Sequence, residues 1–399
     1  MRDGRGWSEE PDTRARIGLA AVAEPGDPVV AALALRYGWQ QLWERLIADD
    51  GAVPEPPTGV SVDAVTSRMH RWRRRARGVS VSAILDHTEA VGARLVVPGE
   101  GDWPTQLDDL EGCRPYLLWL RSARDLRYSA LRSVAVVGSR AASDYGRHVA
   151  SELAYGLGER GWSILSGGAF GIDGAAHHAA LVSAAAAPVA SRSGGTIAVL
   201  PCGIDRSYPR AHERLFGRIA AAGTLLTELP PGAAPSRHGF LVRNRLIAAL
   251  TPGVVVVEAG RRSGALSTVQ HALRLNRLVM AVPGPVTSAL SVGCHNLLRE
   301  GQAVCVTDAA QVAEEVGPVL GQACPEAGSR VVSEEELGPL ARRVLSGVPR
   351  RDRAVGPATI AMAAGCDLAT VLRQLGLLAA AGYVERAAGG WRRSRDTAG

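Results

Sequence analysis

Three short stretches carry residue types suited to holding a polyanion. Gly138-Ser139-Arg140 follows the apolar run Val134–Val137, and Ser166-Gly167-Gly168 follows Ser163–Leu165. Glycine lets a backbone approach a ligand closely, and a helix N-terminus offers unpaired N–H groups to an anion. Two such loops side by side, one ending in arginine, predict a phosphate cradle. The third stretch is Arg237-His238-Gly239-Phe240-Leu241-Val242-Arg243-Asn244-Arg245, which sets three arginines around one ring just before a helical run. Guanidinium groups pair with phosphates and a ring face takes a base, a combination that suits single-stranded nucleic acid. Each stretch also has a plainer explanation. Tight turns after strands need glycine with or without a ligand, and Phe240 fits a core with arginines at the surface.

Other polar residues point less clearly to chemistry. Asp173 and His177 lie four apart at a helix start. They read as an N-cap and a packed helix residue, with general acid–base work the sharper alternative. Glu228 and Glu258 end strands, but no Ser or Cys nucleophile is paired with a base. The first strand lacks G-x-G-x-x-G. A chain without lysine excludes a Walker A loop, and all 45 basic residues here are arginine. The six cysteines (Cys113, Cys202, Cys294, Cys305, Cys324 and Cys366) form no C-x-x-C pair. No metal site, disulfide framework or cofactor is expected.

The elements that must position these residues follow from periodicity. Short apolar runs at Val134–Val137, Ser163–Leu165, Thr196–Leu200, Leu225–Thr227, Val254–Val257 and Leu278–Val282 alternate with helical stretches near 144–160, 174–184, 211–222, 241–250 and 265–275. That rhythm means βαβ units, a mainly parallel sheet and an α/β, Rossmann-like doubly wound fold. Helical patterns over Arg14–Val22 and Val29–Ile47, and again up to about residue 92, predict a small helical domain at 1–95. Three helical stretches and two short strand-like runs near the C-terminus predict a winged helix at 337–399. The Gly-, Pro- and Glu-rich residues 318–336 read as a linker, leaving 96–317 for the Rossmann-like domain. Residues 183–194 read as a low-complexity insertion, expected as a mobile surface loop.

The 399 residues, 46% apolar and 21% charged, fit a folded multidomain protein. No run approaches the ~20 apolar residues of a membrane span, and no signal-peptide pattern opens the chain, so a cytoplasmic location is expected. The net charge of +6 lies in the middle of the chain, where residues 133–310 hold 16 arginines against 10 acidic residues. Concentrated positive charge is the footprint of a polyanion-binding domain. A second basic run, Arg68 to Arg77 around Trp72, reads as a solvated helix face or linker, with an auxiliary nucleic-acid contact as the alternative.

Longer motifs add a resemblance. Val134-Ala-Val-Val-Gly-Ser-Arg140, Ser143-Asp-Tyr-Gly146, Leu165-Ser-Gly-Gly-Ala-Phe-Gly-Ile-Asp-Gly-Ala-Ala-His177 and Thr196-Ile-Ala-Val-Leu-Pro-Cys-Gly203 come in order. Tyr208-Pro209, Phe240 with Arg243-Asn-Arg245, Val256-Val-Glu-Ala259, Ser263-Gly-Ala-Leu266, Val282-Pro-Gly284 and Gly293-Cys-His-Asn296 follow. Together with Trp103-Pro-Thr-Gln-Leu107 ahead of the sheet, they resemble the DNA-processing protein A family (DprA, also called Smf). The N-terminal helices resemble its sterile-alpha-motif-like domain, and the C-terminal outline its winged helix.

The resemblance implies a non-enzymatic protein that binds single-stranded DNA, protects incoming strands, helps load RecA recombinase during natural transformation and acts as a homodimer. It implies DNA-binding roles for Gly138, Ser139, Arg140, Ser166, Gly167, Gly168, Arg237, Phe240, Arg243, Asn244 and Arg245. Phe170 departs from the pattern, standing where many members have arginine, and Arg237 stands where members usually have lysine. Two alternatives remain open from the residues alone. One is a nucleotide or nucleoside-phosphate hydrolase using Glu228 or Glu258, and the other a regulator acting through the winged helix.

Overall fold

The computed structural model describes residues 10–48, 53–186, 195–320, 337–349, 354–380, 383–387 and 390–393. These fall into two compact units divided near residue 312. Most of the expected linker at 318–336, and most of the expected insertion at 183–194, lie outside the described residues. The first four residues of that insertion, Ser183 to Ala186, are the last turn of a helix.

The first unit opens with α1 (Pro11–Val22), α2 (Pro28–Tyr37), α3 (Trp39–Ile47), α4 (Val62–Ala76) and α5 (Val81–Ala90). The single helix expected over Val29–Ile47 is two. Gly38 sits between them at φ 82°, a positive-φ conformation that ends one helix and starts the next. The arginine run lies on α4 and at its C-cap; part of it is engaged inside the unit, while Arg74 and Arg77 are exposed. Arg68 pairs with Asp27 at 2.8 Å, and Arg75 donates to the Val22 carbonyl at 2.7 Å and pairs with Glu24. Arg73 is buried and donates to the Arg45 carbonyl. Arg68, Arg73 and Arg75 clamp α4 to α1 and its neighbours, so the run is a helix rather than a linker and its face is solvated only in part.

The sheet follows. Strands β1 (Arg94–Val96) and β2 (Leu118–Ser122) precede α6 (Leu126–Leu131). Then strand and helix alternate: β3 (Ser133–Val137), α7 (Asp144–Glu159), β4 (Ser163–Ser166), α8 (Ile172–Ala186), β5 (Thr196–Val199), α9 (Glu213–Ala222), β6 (Thr224–Thr227) and α10 (Arg237–Ala249). The series closes with β7 (Gly253–Val256), α11 (Ala265–Arg274), β8 (Leu278–Ala281), α12 (Val292–Arg299), β9 (Val304–Cys305) and α13 (Ala309–Leu320). The nine strands lie in the order β1-β2-β6-β5-β4-β3-β7-β8-β9. The six strands read from the sequence are all present and parallel. The antiparallel edge formed by β1 and β2 has no signal in the βαβ rhythm, because β1 is three residues long.

Chain order runs outward from β3 through β4, β5 and β6, then returns to β7 on the other side of β3. The switch point of the sheet therefore lies between β3 and β7, and the carboxyl ends of these strands face the crevice where such folds bind ligands. Alternate strand residues face opposite ways, the period-2 rule of a strand. Trp119, Ala198 and Leu225 pack with α1–α5 and α9, whereas Leu118, Leu120, Ile197, Val199 and Leu226 pack with α10 and α11.

The second unit contains α14 (Pro339–Ser346), α15 (Pro357–Ala364), α16 (Leu368–Ala380) and the antiparallel pair β10 (Val384–Ala387) and β11 (Gly390–Arg393). Leu345, Ile360, Val371, Leu375 and Tyr383 form its own core. Gly38→Ala forces an L side chain into a positive-φ, extended-ψ backbone that is essentially glycine's alone and is expected to lower stability by about 1–3 kcal/mol. A lower urea midpoint with an unchanged slope checks it.

Candidate nucleic-acid interface

The two glycine-rich loops meet at the carboxyl edge of the sheet, as expected. Their glycines, however, are required by the protein's own atoms. A Cβ on Gly138 would sit on Ile172 and on the Glu258 carbonyl. A Cβ on Gly167 would sit on the Arg243 guanidinium, and one on Gly168 on the Phe216 ring. Ser166 is buried and its hydroxyl donates to the Val136 carbonyl at 2.7 Å, stapling β4 to β3. Ser139 is buried too, its N–H donating to the Glu258 carbonyl at 2.7 Å.

The anion positions at the neighbouring helix starts are filled from within. Glu258, almost fully buried at the end of β7, accepts from the Ser143 N–H at 2.9 Å and from the Ser143 hydroxyl at 2.5 Å. Ser143 is the N-cap of α7, so this carboxylate sits where the helix would otherwise hold a phosphate. Gly146 must lack a side chain because a Cβ there would collide with that carboxylate. At the start of α8, Asp173 accepts from the Ala169 N–H at 3.3 Å. Burial raises the Asp173 pKa, and the positive charge of Arg243 is the largest influence against that rise.

The Arg237–Arg245 stretch does not precede α10 but forms its first turns, because Ser236 caps the helix by accepting from the Gly239 N–H at 2.9 Å. About two helical turns separate arginines with opposite fates. Arg243 is buried, donating to the Gly167 carbonyl at 2.8 Å and to the Val199 carbonyl. Burial pushes its pKa down to about 10, which leaves it charged at neutral pH, and Asp173 opposes the shift. Arg245 is buried against Glu228 with contacts of 2.5 and 2.6 Å, and its Nε donates to the Cys113 carbonyl at 3.0 Å. Asn244 is buried as well, its amide donating to the Gly264 carbonyl at 3.4 Å. These three hold α10 onto the sheet edge.

Arg237 and Arg140, by contrast, are exposed, and neither pairs with a carboxylate among the described residues. The Arg140 guanidinium lies over the half-buried Phe240 ring, 4.6 Å from its centroid. Tyr208 backs Phe240 edge-on with centroids 5.2 Å apart. The surface part of the site is thus two arginines and a ring, not the whole of the expected set. Tyr208 carries no site signal of its own in the sequence, and Glu258, which reads there as a strand-ending acid and a hydrolase candidate, instead serves the glycine loops as an internal carboxylate. A glutamate ending the strand beside the switch point was the available signal.

His177 sits in the core. Its Nδ1 is 2.6 Å from the Thr196 hydroxyl, which itself donates to the Ile164 carbonyl, so His177 carries its proton on Nδ1. Its Nε2 has no hydrogen-bond partner among the described residues. Burial, with the nearby His212, His178 and Arg243, drops its pKa to about 3. A neutral packed histidine is the reading that fits, and Asp173 supports its loop. A crevice lined by Leu200, Thr227, Glu228, Val242 and Arg243 holds about 10 Å³, room for one water and no nucleotide. Among the described residues no cluster could hold a metal ion, and no helix is long and apolar enough to cross a membrane.

The family profile of DNA recombination-mediator protein A matches residues 94–317, from β1 into α13. The DprA-type DNA processing protein of Mycobacterium tuberculosis (strain CDC 1551 / Oshkosh) is 41% identical over 418 residues, covering 98% of this chain and 96% of that protein. The chain belongs to the DNA recombination-mediator protein A family. Protein Smf of Escherichia coli (strain K12) is 36% identical over 265 residues, 66% of this chain and 68% of that one. The crystal structure of DNA processing protein A from Streptococcus pneumoniae superposes with a TM-score of 0.60 at 30% identity, covering 77% of this chain and 98% of that one.

Membership in this family does not by itself separate the arginines that hold the site together from those that face outward, and stability measurements do. Arg243→Ala and Arg245→Ala each strand a buried partner and are expected to cost about 3–5 kcal/mol, against within about 0.5 kcal/mol for Arg140→Ala. Chemical denaturation of the three variants checks the contrast. A second expectation concerns pH. Below the ordinary histidine value the unfolded chain protonates residue 177 while the folded chain resists down to about pH 3. Stability is therefore lost as pH falls through that window. His177→Gln removes the titration and is expected to flatten the decline by up to one proton, about 1.4 kcal/mol per pH unit, in denaturation midpoints taken from pH 7 to 4.

Proposed function

We propose that this chain is a single-stranded DNA-binding protein that covers incoming strands and helps load RecA recombinase onto them in recombination and natural transformation. In this reading it works in the cytoplasm as a homodimer, by binding rather than catalysis. One observation carries it. Arg140 is exposed at the switch point of a Rossmann-like sheet, without a carboxylate partner among the described residues, and stacked on Phe240. An uncommitted guanidinium meets a phosphate, and the adjoining ring meets a base. Arg237, exposed at the start of the same helix, supplies the second cation. Gly138, Ser139, Ser166, Gly167, Gly168, Arg243, Asn244 and Arg245 act from beneath by fixing the loops and α10.

The hydrolase alternative loses its acids, since Glu228 is engaged by Arg245 and Glu258 by Ser143. In the second unit, Met362 is 81% exposed and Leu368 and Leu372 are also exposed. Apolar residues on α15 and α16 favour a protein-facing role over base reading for that winged-helix-like unit.

Fluorescence anisotropy with labelled oligo-dT and a duplex of equal length, at two salt concentrations, tests the reading. The full chain is expected to prefer the single strand. Arg140→Ala is expected to weaken that binding and flatten the log–log salt slope by about 0.7, one single-strand phosphate contact. Equal binding to the duplex, or an Arg140→Ala protein indistinguishable from wild type, overturns it.

A further inference from the structure

The chain has three phenylalanines, and all three gather at this edge of the sheet. Phe216 is buried under Gly168, Phe240 lies beneath Arg140, and Phe170 is 48% exposed on the loop between β4 and α8. The exposure of Phe170 is imposed by its loop. Gly168 and Gly171 flank the Ala169-Phe170 pair at φ 69° and 74°, conformations that L side chains rarely adopt. A Cβ on Gly168 would enter the Phe216 ring, and one on Gly171 would collide with the Ser139 and Arg140 carbonyls. The turn that lifts Phe170 outward is thereby packed directly against the loop that presents Arg140.

The ring is also propped from below. His212 meets Phe170 edge-on with centroids 4.9 Å apart, and rests in turn on Phe216 at 6.1 Å. His212 Nδ1 donates to the Gly168 carbonyl at 3.0 Å, which anchors the prop to the same turn. An edge-on contact uses the rim of one ring and leaves ring-face area available.

We propose that Phe170 is a second base-stacking platform, taking one base of a single strand whose backbone passes Arg140. The proposal rests on the single-stranded DNA reading above and adds to it the group that shares the strand with Phe240. Stacking on a ring is tolerant of base identity and carries no charge. Phe170 therefore contributes affinity that salt does not screen, beside an arginine whose contribution salt does.

The test uses the full chain and labelled oligo-dT. Phe170→Ala is expected to bind about tenfold more weakly, the size of one lost base–ring stack, with the salt slope of wild type. Phe170→Trp is expected to keep its affinity. Its emission, after subtracting the signal of the eight native tryptophans measured in wild type, is expected to be quenched on adding oligo-dT. An unquenched tryptophan, wild-type affinity in Phe170→Ala, or a flattened salt slope in that variant overturns the proposal. If Arg140→Ala still weakens binding in that case, the single-stranded DNA reading stands alone. Absence of single-strand binding by wild type overturns both.

Discussion

A full positive charge is held out of water at the carboxyl edge of this sheet, and the surrounding loops are arranged around it. The Arg243 guanidinium reaches the carbonyls of Gly167 and Val199, at the ends of two adjacent parallel strands. Burying an ion costs several kcal/mol unless polar partners replace its hydration. Two carbonyls and the field of Asp173 do so here. The consequences spread outward. Gly167 cannot carry a side chain, α10 must lie across the strand ends, and the turn after β4 is fixed against the Arg140 loop.

The same economy explains why the glycine loops are not open cradles. In many doubly wound folds the helix start at the switch point waits for a ligand's phosphate. In this chain Glu258 supplies the anion permanently and Gly146 makes room for it. The site is left as a surface rather than a pocket, which suits a flexible polymer better than a small nucleotide. A polymer gathers affinity from several shallow contacts along its length, whereas a small ligand needs one enclosed cavity.

Arginine serves two opposed purposes within one helix. Arg237 faces solvent, while Arg243 and Arg245 face the core. A planar guanidinium with five donors can be satisfied by carbonyls and a carboxylate when buried, and can grip a phosphate when exposed. The arginines of α4 show the structural use again, at Arg68, Arg73 and Arg75. Net positive charge along the chain therefore overstates the charge available to a ligand.

Much of the architecture was legible in the order of residues. Apolar runs three to five long, alternating with helical stretches, imposed the parallel sheet, because a short run apolar on both faces fits a strand covered by helices on each side and is too short for a buried helix. The ends of those runs marked the loops that meet at the carboxyl edge of the sheet, and Arg140 there, with Arg237 and Phe240 further along the chain, stand out as residue types fit for phosphate and base. Burial was not legible. Arg237, Arg243 and Arg245 are the same residue in one run, and position along α10 separates solvent from core: the first turn reaches water, whereas 243–249 are buried on every side of the helix. The break at Gly38 and the short strand β1 were hidden because a single glycine and a three-residue strand carry too little pattern. The exposure of Phe170 is set by contacts distant in sequence, its ring against His212 and the neighbouring Gly171 against the Arg140 backbone. Local periodicity determines which elements form, and packing between remote segments determines which side chains reach water.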